Sequence, residues 1–429
     1  MTEDGPVGLN VVLVHCHDLG RWLPFLGRAG VSAPNLSTLA SESLLFEAAF
    51  STSPLCTPAR SSIFTGLSPH ENGLMGLTHQ GWTYAPGVTT LPEYLREIGI
   101  PSTLIGLQHE DFDARKLGFD EIHGFGFLPR ALEVASTFER WIENKPEGSN
   151  FFATVGIWEV HRPWPHEDYT PVDPSCVDVP EYLPDNEHTR RDLADFYGAI
   201  SQLDQAIGRI VAALDASQYA KNTVLIFTTD HGAAFPRAKG TLFDSGLEVA
   251  LIIRPSEGSR RHQRIKAVTS HLDLAPTVLE LLGGNPKKIG GQGRSLAPLI
   301  CREQETIEGH ELLFFEKTYH DSYDPLRAVR SKRYKYIRRF SAEISRQMAL
   351  DLELSHTRRG LPPDYTESGP EEQLFDLLND PSELSNLAHL EEFQPELIEM
   401  RTRLDEWMRA TSDPLLEGNI SPPRYPGRP

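Results

Sequence analysis

Apolar residues in this chain gather in short blocks, and four of the blocks end in the same kind of residue. Residues 9–14 (Leu9, Asn10, Val11, Val12, Leu13, Val14) form a β-branched run that reads, by length and type, as a buried strand. His17, Asp18, Leu19 and Gly20 follow its C-terminal end. Residues 101–106 are a weaker run of the same kind, with His109 just beyond. Residues 151–157 are a third, followed by His161, Arg162 and Pro163. Residues 223–229 are the clearest and run directly into Asp230, His231 and Gly232. Apolar strands that each end in ligand-type residues predict an open, mostly parallel α/β sheet. Such a sheet builds its site along the carboxyl edge of its strands.

Between the blocks the period changes. In residues 192–214, Leu193, Phe196, Tyr197, Ile200, Leu203, Ile207, Ile210, Val211 and Leu214 step by three and four, which predicts a long amphipathic helix. Residues 91–98 and 274–282 predict shorter ones. The tail differs. Residues 327–338 alternate as an exposed strand does, Asp380 and Pro381 mark a turn, and residues 393–408 predict a last amphipathic helix. The change of pattern puts a boundary near residue 310. Residues 1–310 then form a catalytic α/β domain, and residues 311–429 a C-terminal subdomain with a small antiparallel sheet and a terminal helix. The proline-rich residues 421–429 are expected to be loose. The sequence has no internal repeat.

Composition narrows the possibilities. The 429 residues exceed one ordinary core, and 39% of them are apolar, enough to bury a large one. The net charge of −19, with no sizeable basic block, argues against a nucleic-acid partner. An anionic substrate would need a locally positive pocket. Cys16, Cys56, Cys176 and Cys301 are far apart, without metal-ribbon or redox spacing. Residues 1–6 are acidic and unlike a signal peptide, and no apolar run reaches membrane-spanning length. The expectation is a soluble, cytoplasmic protein with no membrane partner.

The densest chemistry lies at Cys56, Thr57, Pro58, Ala59 and Arg60. Thr57 can cap a helix, Pro58 suits a first turn, and residues 59–65 read as a short helix stopped by Gly66. Cys56 then lies just before a helix N-terminus, where free amides and the dipole favour an anion, and Arg60 adds a positive charge. His17 with Asp18, and Asp230 with His231, offer two adjacent pairs of metal-ligand type at two strand ends.

This segment resembles the sulfatase signature Cys-x-Pro-x-Arg. The likeness to a sulfatase of the alkaline phosphatase superfamily continues along nearly the whole chain. Residues 10–20 are similar to the family's first metal loop, Asp230-His231-Gly232 to its second, and residues 239–243 to the lysine segment that follows. Leu374-Phe375-Asp376-Leu377, Asp380-Pro381 and Asn386-Leu387-Ala388 are similar to its C-terminal subdomain. Residues 69–77 look most like the heparan N-sulfatase (sulfamidase) branch.

The resemblance implies an alkaline-phosphatase-like fold: a large, mostly parallel sheet flanked by helices, with a smaller C-terminal α+β subdomain. It implies that Cys56 is oxidised to formylglycine by a formylglycine-generating enzyme and that the aldehyde's hydrate attacks sulfur. Arg60 holds that residue and offsets negative charge. His109 takes a proton so that the aldehyde re-forms and sulfate leaves. His161 and Lys239 contact the sulfate and help protonate the leaving atom. His17, Asp18, Asp230 and His231 hold one divalent metal. His320 and Arg327 sit where the tail can reach back over the pocket, as substrate contacts or as surface loop residues.

Three positions depart from the family pattern. His17 stands for the usual first aspartate, His231 for a ligand that is often asparagine, and Leu107 for a lysine. Oxygen-rich family sites hold Ca²⁺, whereas two imidazoles favour Mn²⁺ or another transition metal. Alternatively His17 turns away. The function expected is hydrolysis of a sulfuric ester or sulfamate on a sulfated sugar. The alternatives are phosphonate or phosphodiester hydrolysis and, lastly, a non-catalytic sulfatase-like binding protein.

Overall fold

The computed structural model describes residues 8–124, 129–148, 150–259, 261–341, 348–363, 365 and 369–423. Thirteen strands form two sheets among these residues. The first holds β1 (Asn10–Cys16), β2 (Leu44–Phe50), β3 (Ser102–Gly106), β4 (Glu121–His123), β5 (Phe152–Gly156), β6 (Thr223–Thr229), β7 (Glu248–Arg254), β8 (Gln263–Ile265) and β9 (Thr269–Ser270). Its order is β4-β3-β5-β1-β6-β7-β2-β8, with β9 beside β2. The stretch from β4 to β6 is parallel, and β7 runs antiparallel to both β6 and β2. The four blocks read from the sequence are β3, β5, β1 and β6, four neighbours in the parallel half.

Those strands read as continuous apolar runs because both faces are covered. In β1, Val12, Val14 and Cys16 pack on one side, with helices Ala131–Glu143 and Glu187–Ala216. Val11 and Leu13 pack on the other, with Leu91 and Leu95 of helix Leu91–Glu97 and Val278 and Leu279 of helix Leu274–Leu281. Each such buried aliphatic side chain contributes about 1.5–3 kcal/mol relative to exposure. The long helix starts five residues before its predicted position. Asn186 caps it by accepting from Thr189 N, so the polar first turn is helical too.

The second sheet, β10 (Leu313–Tyr319), β11 (Tyr323–Arg330), β12 (Tyr334–Arg339) and β13 (Glu372–Asp376), is antiparallel in that order. Ala328, Ile337 and Phe375 face Phe50, Leu242 and Leu247 of the larger unit. Val329, Tyr336 and Leu374 face helix Gln394–Ala410. Residues 327–338 are therefore two central strands, not one exposed strand. The alternating charges are buried against acids: Arg327 pairs with Asp413, and Lys335 with Asp244 and Glu383. Residues 1–6 and 424–429, part of the terminal readings, lie outside the described residues. Among the described residues, no helix is long and apolar enough to cross a membrane.

Candidate active site

β1 and β6 pair in parallel from Asn10–Thr223 to Cys16–Thr229, so their C-terminal loops leave the sheet together. The loops are also stitched to each other. Asp230 N donates to Cys16 O at 3.2 Å, Gly20 N to His231 O at 3.0 Å, and Asp18 N to Asp230 Oδ1 at 2.9 Å. Asp18 holds φ 52°, a left-handed conformation that Asp tolerates better than most residues. Gly232 is fixed by packing, since a Cβ there would lie 2.0 Å from Ser245 O.

His17, Asp18, Asp230 and His231 are all fully buried. His17 Nδ1 is 2.9 Å from Asp230 Oδ2, and His231 Nε2 is 3.2 Å from Asp18 Oδ1 and 3.8 Å from Asp230 Oδ2. These contacts are close but poorly aligned. Both nitrogens of His17, Asp18 Oδ1 and Asp230 Oδ2 lack a well-formed hydrogen bond among the described residues. Each such buried atom costs about 1–3 kcal/mol. One ligand atom each from His17, Asp18, Cys56 and Asp230 lies within 4.8 Å of the others, and His231 Nε2 borders this group. The donor set fits a cation, and a ring nitrogen of His17 lies within the group. Burial, then the Arg60 charge, pulls the His17 imidazole down to about 3, and the neutral ring has one nitrogen with a free lone pair. Burial alone would raise Asp230, but His231, His17 and Arg60 hold it well below the carboxylate range.

Cys56 opens the helix Cys56–Thr65 rather than preceding it. The capping position is Leu55, and no described side chain caps that end. Thr57, the cap expected from sequence, instead donates to His109 O at 2.7 Å and ties the loop after β3 to this helix. Gly66 closes the helix at φ 68°. The uncapped N-terminus therefore presents its dipole at the site. Cys56 Sγ is 3.4 Å from His231 Nε2. Burial pushes the thiol well above its usual range, and a protonated thiol is a poor nucleophile. Arg60 is fully buried and reaches His15 Nδ1 at 2.5 Å, Cys16 O at 3.2 Å and Asp230 Oδ2 at 3.4 Å.

Lys239 donates to Asp18 Oδ2 and to Asp351 Oδ2, each at 2.8 Å, and lies 3.2 Å from His161 Nε2. Burial alone would lower its ammonium, but the two carboxylates hold it well above the lysine range. His161 packs on Trp158 with ring centres 4.2 Å apart. Burial, then Lys239, lowers His161; burial, then His17 and Arg60, lowers His109 further. Both imidazoles are held neutral, which leaves one ring nitrogen of each without a proton.

A cavity of about 1260 Å³ opens over this cluster, lined by Cys56, His109, His161, Lys239, His320 and Asp351 among others. His17, Asp18, Arg60, Asp230 and His231 are buried and do not line it. His320 lies near the rim, its Nδ1 2.8 Å from Asp321 Oδ2. The substrate contact considered for Arg327 is corrected. Arg327 is fully buried in β11, 2.5 Å from Asp413 Oδ2 and 3.3 Å from Glu316 Oε2, and is not part of the cavity wall. His320 sits at the β10–β11 turn, and the strand then carries Arg327 away into the sheet interior. Sequence reasoning missed His15, Trp158 and Asp351. Trp158 lies in the same loop as His161 and was within reach of the pattern. Asp351, more than a hundred residues from Lys239, left no such signal.

A family model described as Sulfatase matches residues 10–284. An ulvan-active sulfatase of Formosa agariphila is 27% identical over 467 residues, covering 94% of this chain and 75% of its own. The human N-sulphoglucosamine sulphohydrolase is 26% identical over 494 residues, covering 97% and 94%. Among solved structures, the phosphonate monoester hydrolase of Agrobacterium radiobacter superposes with a TM-score of 0.72 at 20% identity, covering 94% of this chain and 96% of that one. The two-sheet architecture is the alkaline-phosphatase-like one that solved sulfatases share.

Proposed function

The chain belongs to the sulfatase family of sulfuric ester hydrolases, and we propose that it cleaves a sulfate or sulfamate group from a sugar, using a formylglycine made from Cys56 and one divalent cation. The observation that carries this reading is the position of Cys56. Its sulfur lies at an uncapped helix N-terminus, within 4.8 Å of ligand atoms from His17, Asp18 and Asp230. The match of residues 56–60 to the family signature favours a modified side chain over a cysteine nucleophile. As formylglycine hydrate, position 56 supplies one hydroxyl to take the sulfuryl group and a second whose deprotonation expels sulfate.

The other residues divide the remaining work. Arg60, pinned by His15 and Asp230, offsets charge beside position 56. His109 is the base for the second hydroxyl. Lys239 and His161, in contact with each other, bind the sulfate, and the lysine ammonium is the proton source for the leaving oxygen or nitrogen, directly or relayed through His161. His17, Asp18 and Asp230 hold the cation, with His231 beside them, and when bound it supplies Lewis acidity. The imidazoles of His17 and His231 beside two carboxylates favour Mn²⁺ or a similar ion, where the family resemblance implies Ca²⁺. Residues 1–310 form the catalytic unit, and residues 311–429 close the cavity with Asp351 and His320. The likeness to N-sulphoglucosamine sulphohydrolase over nearly both full lengths supports a sulfamidase-type substrate.

The fold shared with a phosphonate monoester hydrolase supplies the second reading, since a phosphonate monoester also brings one negative charge. Product release from N-sulfoglucosamine, glucosamine 6-sulfate and 4-nitrophenyl sulfate, set against bis(4-nitrophenyl) phosphate and a phenylphosphonate monoester, separates the two. Higher kcat/KM on the sulfur substrates is expected. The reverse order selects the second reading, and no turnover of any substrate returns the chain to a binding role.

A further inference from the structure

Lys239 is held between two carboxylates, of which the proposed chemistry uses one. Asp18 belongs to the metal group. Asp351 comes from the far end of the chain, and its Oδ2 is 2.8 Å from the lysine ammonium. Ligand atoms of Asp18, His161 and Asp351 lie within 4.8 Å of one another. This trio has a cation already, because Lys239 Nζ contacts all three. It is therefore not a second metal site.

Asp351 is also firmly built into the wall. Its helix, Leu350–Glu353, buries Leu352 completely with Ala234, Met348 and Ala349, just beyond the loop of Asp230 and His231. Leu350 N donates to Asp321 Oδ2 at 2.9 Å. Beyond it, Thr357 donates through N and Oγ1 to Asp192 Oδ2, and Asp192 in turn grips Arg162 with both oxygens. The Asp351 carboxylate is partly open to the cavity, at 17% side-chain exposure. Asp351 contacts Lys239, so if Lys239 and His161 serve the leaving atom as proposed above, the carboxylate adjoins the first atoms of the departing group. Asp321, with His320, lines the same side.

We propose that Asp351 determines specificity by accepting a hydrogen bond from the leaving group, selecting substrates with an ammonium or hydroxyl next to the sulfated atom and rejecting those with a second anion there. This rests on the sulfatase reading above. A carboxylate in a partly enclosed wall strengthens a hydrogen bond from a donor and repels a like charge. Within a sugar, the favoured sites carry free hydroxyl or amino neighbours, and vicinally disulfated sites are poor substrates.

The test uses the metal-replete, matured protein and four matched compounds: 2-aminoethyl sulfate, 2-hydroxyethyl sulfate, ethyl sulfate and glycolate O-sulfate. Inhibition of 4-nitrophenyl sulfate hydrolysis gives each a Ki, and sulfate release gives kcat/KM for those turned over. The wild type should bind the ammonium and hydroxyl compounds at least about tenfold more tightly than glycolate O-sulfate, with ethyl sulfate between. In Asp351→Asn that ratio should collapse toward unity. An equal change for all four would make Asp351 a mere counter-ion for Lys239 and overturn the proposal, as would a wild-type enzyme with no preference. That second measurement needs no variant. If the protein releases no sulfate from any substrate, the sulfatase reading falls with it; turnover with flat selectivity defeats the specificity role alone.

Discussion

On the proposed reading, position 56 reacts as a formylglycine hydrate set in charged surroundings, not as a thiol. Cys56→Ala should reduce sulfate release to background while leaving the melting temperature near that of the wild type, because the side chain is small and the helix keeps its backbone. Cys56→Ser is a less clean control, since some maturation systems oxidise serine. Asp18→Ala and Asp230→Ala should mimic chelation, and both should lower activity by roughly 10²-fold or more. Chelator treatment followed by readdition of Mn²⁺ or Ca²⁺ checks this. His17→Asp should move the preference from Mn²⁺ toward Ca²⁺, read from apoprotein reconstituted with each ion. At this scale the sequence was informative wherever a side chain follows a strand directly, as His17, Asp18, Asp230 and His231 do. It was silent where contact depends on distant packing. Arg327 looked available because of its place near His320, yet two buried acids, Asp413 and Glu316, hold it in the sheet.

Loops at the ends of β1 and β6 bring the candidate metal ligands together, and their geometry depends on close backbone approach. Gly232→Ala is therefore expected to destabilise the fold by about 1–3 kcal/mol and to weaken metal retention, because the added methyl meets the Ser245 carbonyl and Gly246. Thermal melting with and without metal measures both effects. The central strands were legible because parallel strands covered on both faces are apolar throughout. β2 and β7 were not. β2 reads Leu-Leu-Phe-Glu-Ala-Ala-Phe, good helix formers placed in a strand by pairing with β7 on one side and β8 on the other. The helix at Cys56 was recognised but set a turn short, because Thr57 and Pro58 looked like a cap. In the structure Thr57 serves the His109 loop instead.

Across the whole molecule, the two sheets meet at a buried set of charges: Asp244, Arg330, Lys335 and Glu383. Burial, reinforced by Asp244 and only partly offset by Lys335, raises the Glu383 carboxyl from 4.5 to about 7. The folded state then keeps a proton that the unfolded chain has already lost, so this group makes stability fall as pH rises from about 4.5 toward 7. Glu383→Gln should flatten that part of the melting-temperature profile, and an unchanged slope would mean that Glu383 is ionised throughout. The net charge of −19 gives the molecule an overall field that opposes an anionic substrate. Arg60, Lys239 and the open end of the Cys56 helix must reverse that field locally. All of this converges on the chemical identity of position 56, which mass spectrometry of the Cys56 peptide reads directly from enzyme matured alongside a formylglycine-generating enzyme and actively releasing sulfate. An aldehyde at position 56, in proportion to specific activity, is the expected result. Full activity with an unmodified cysteine thiol there would contradict it.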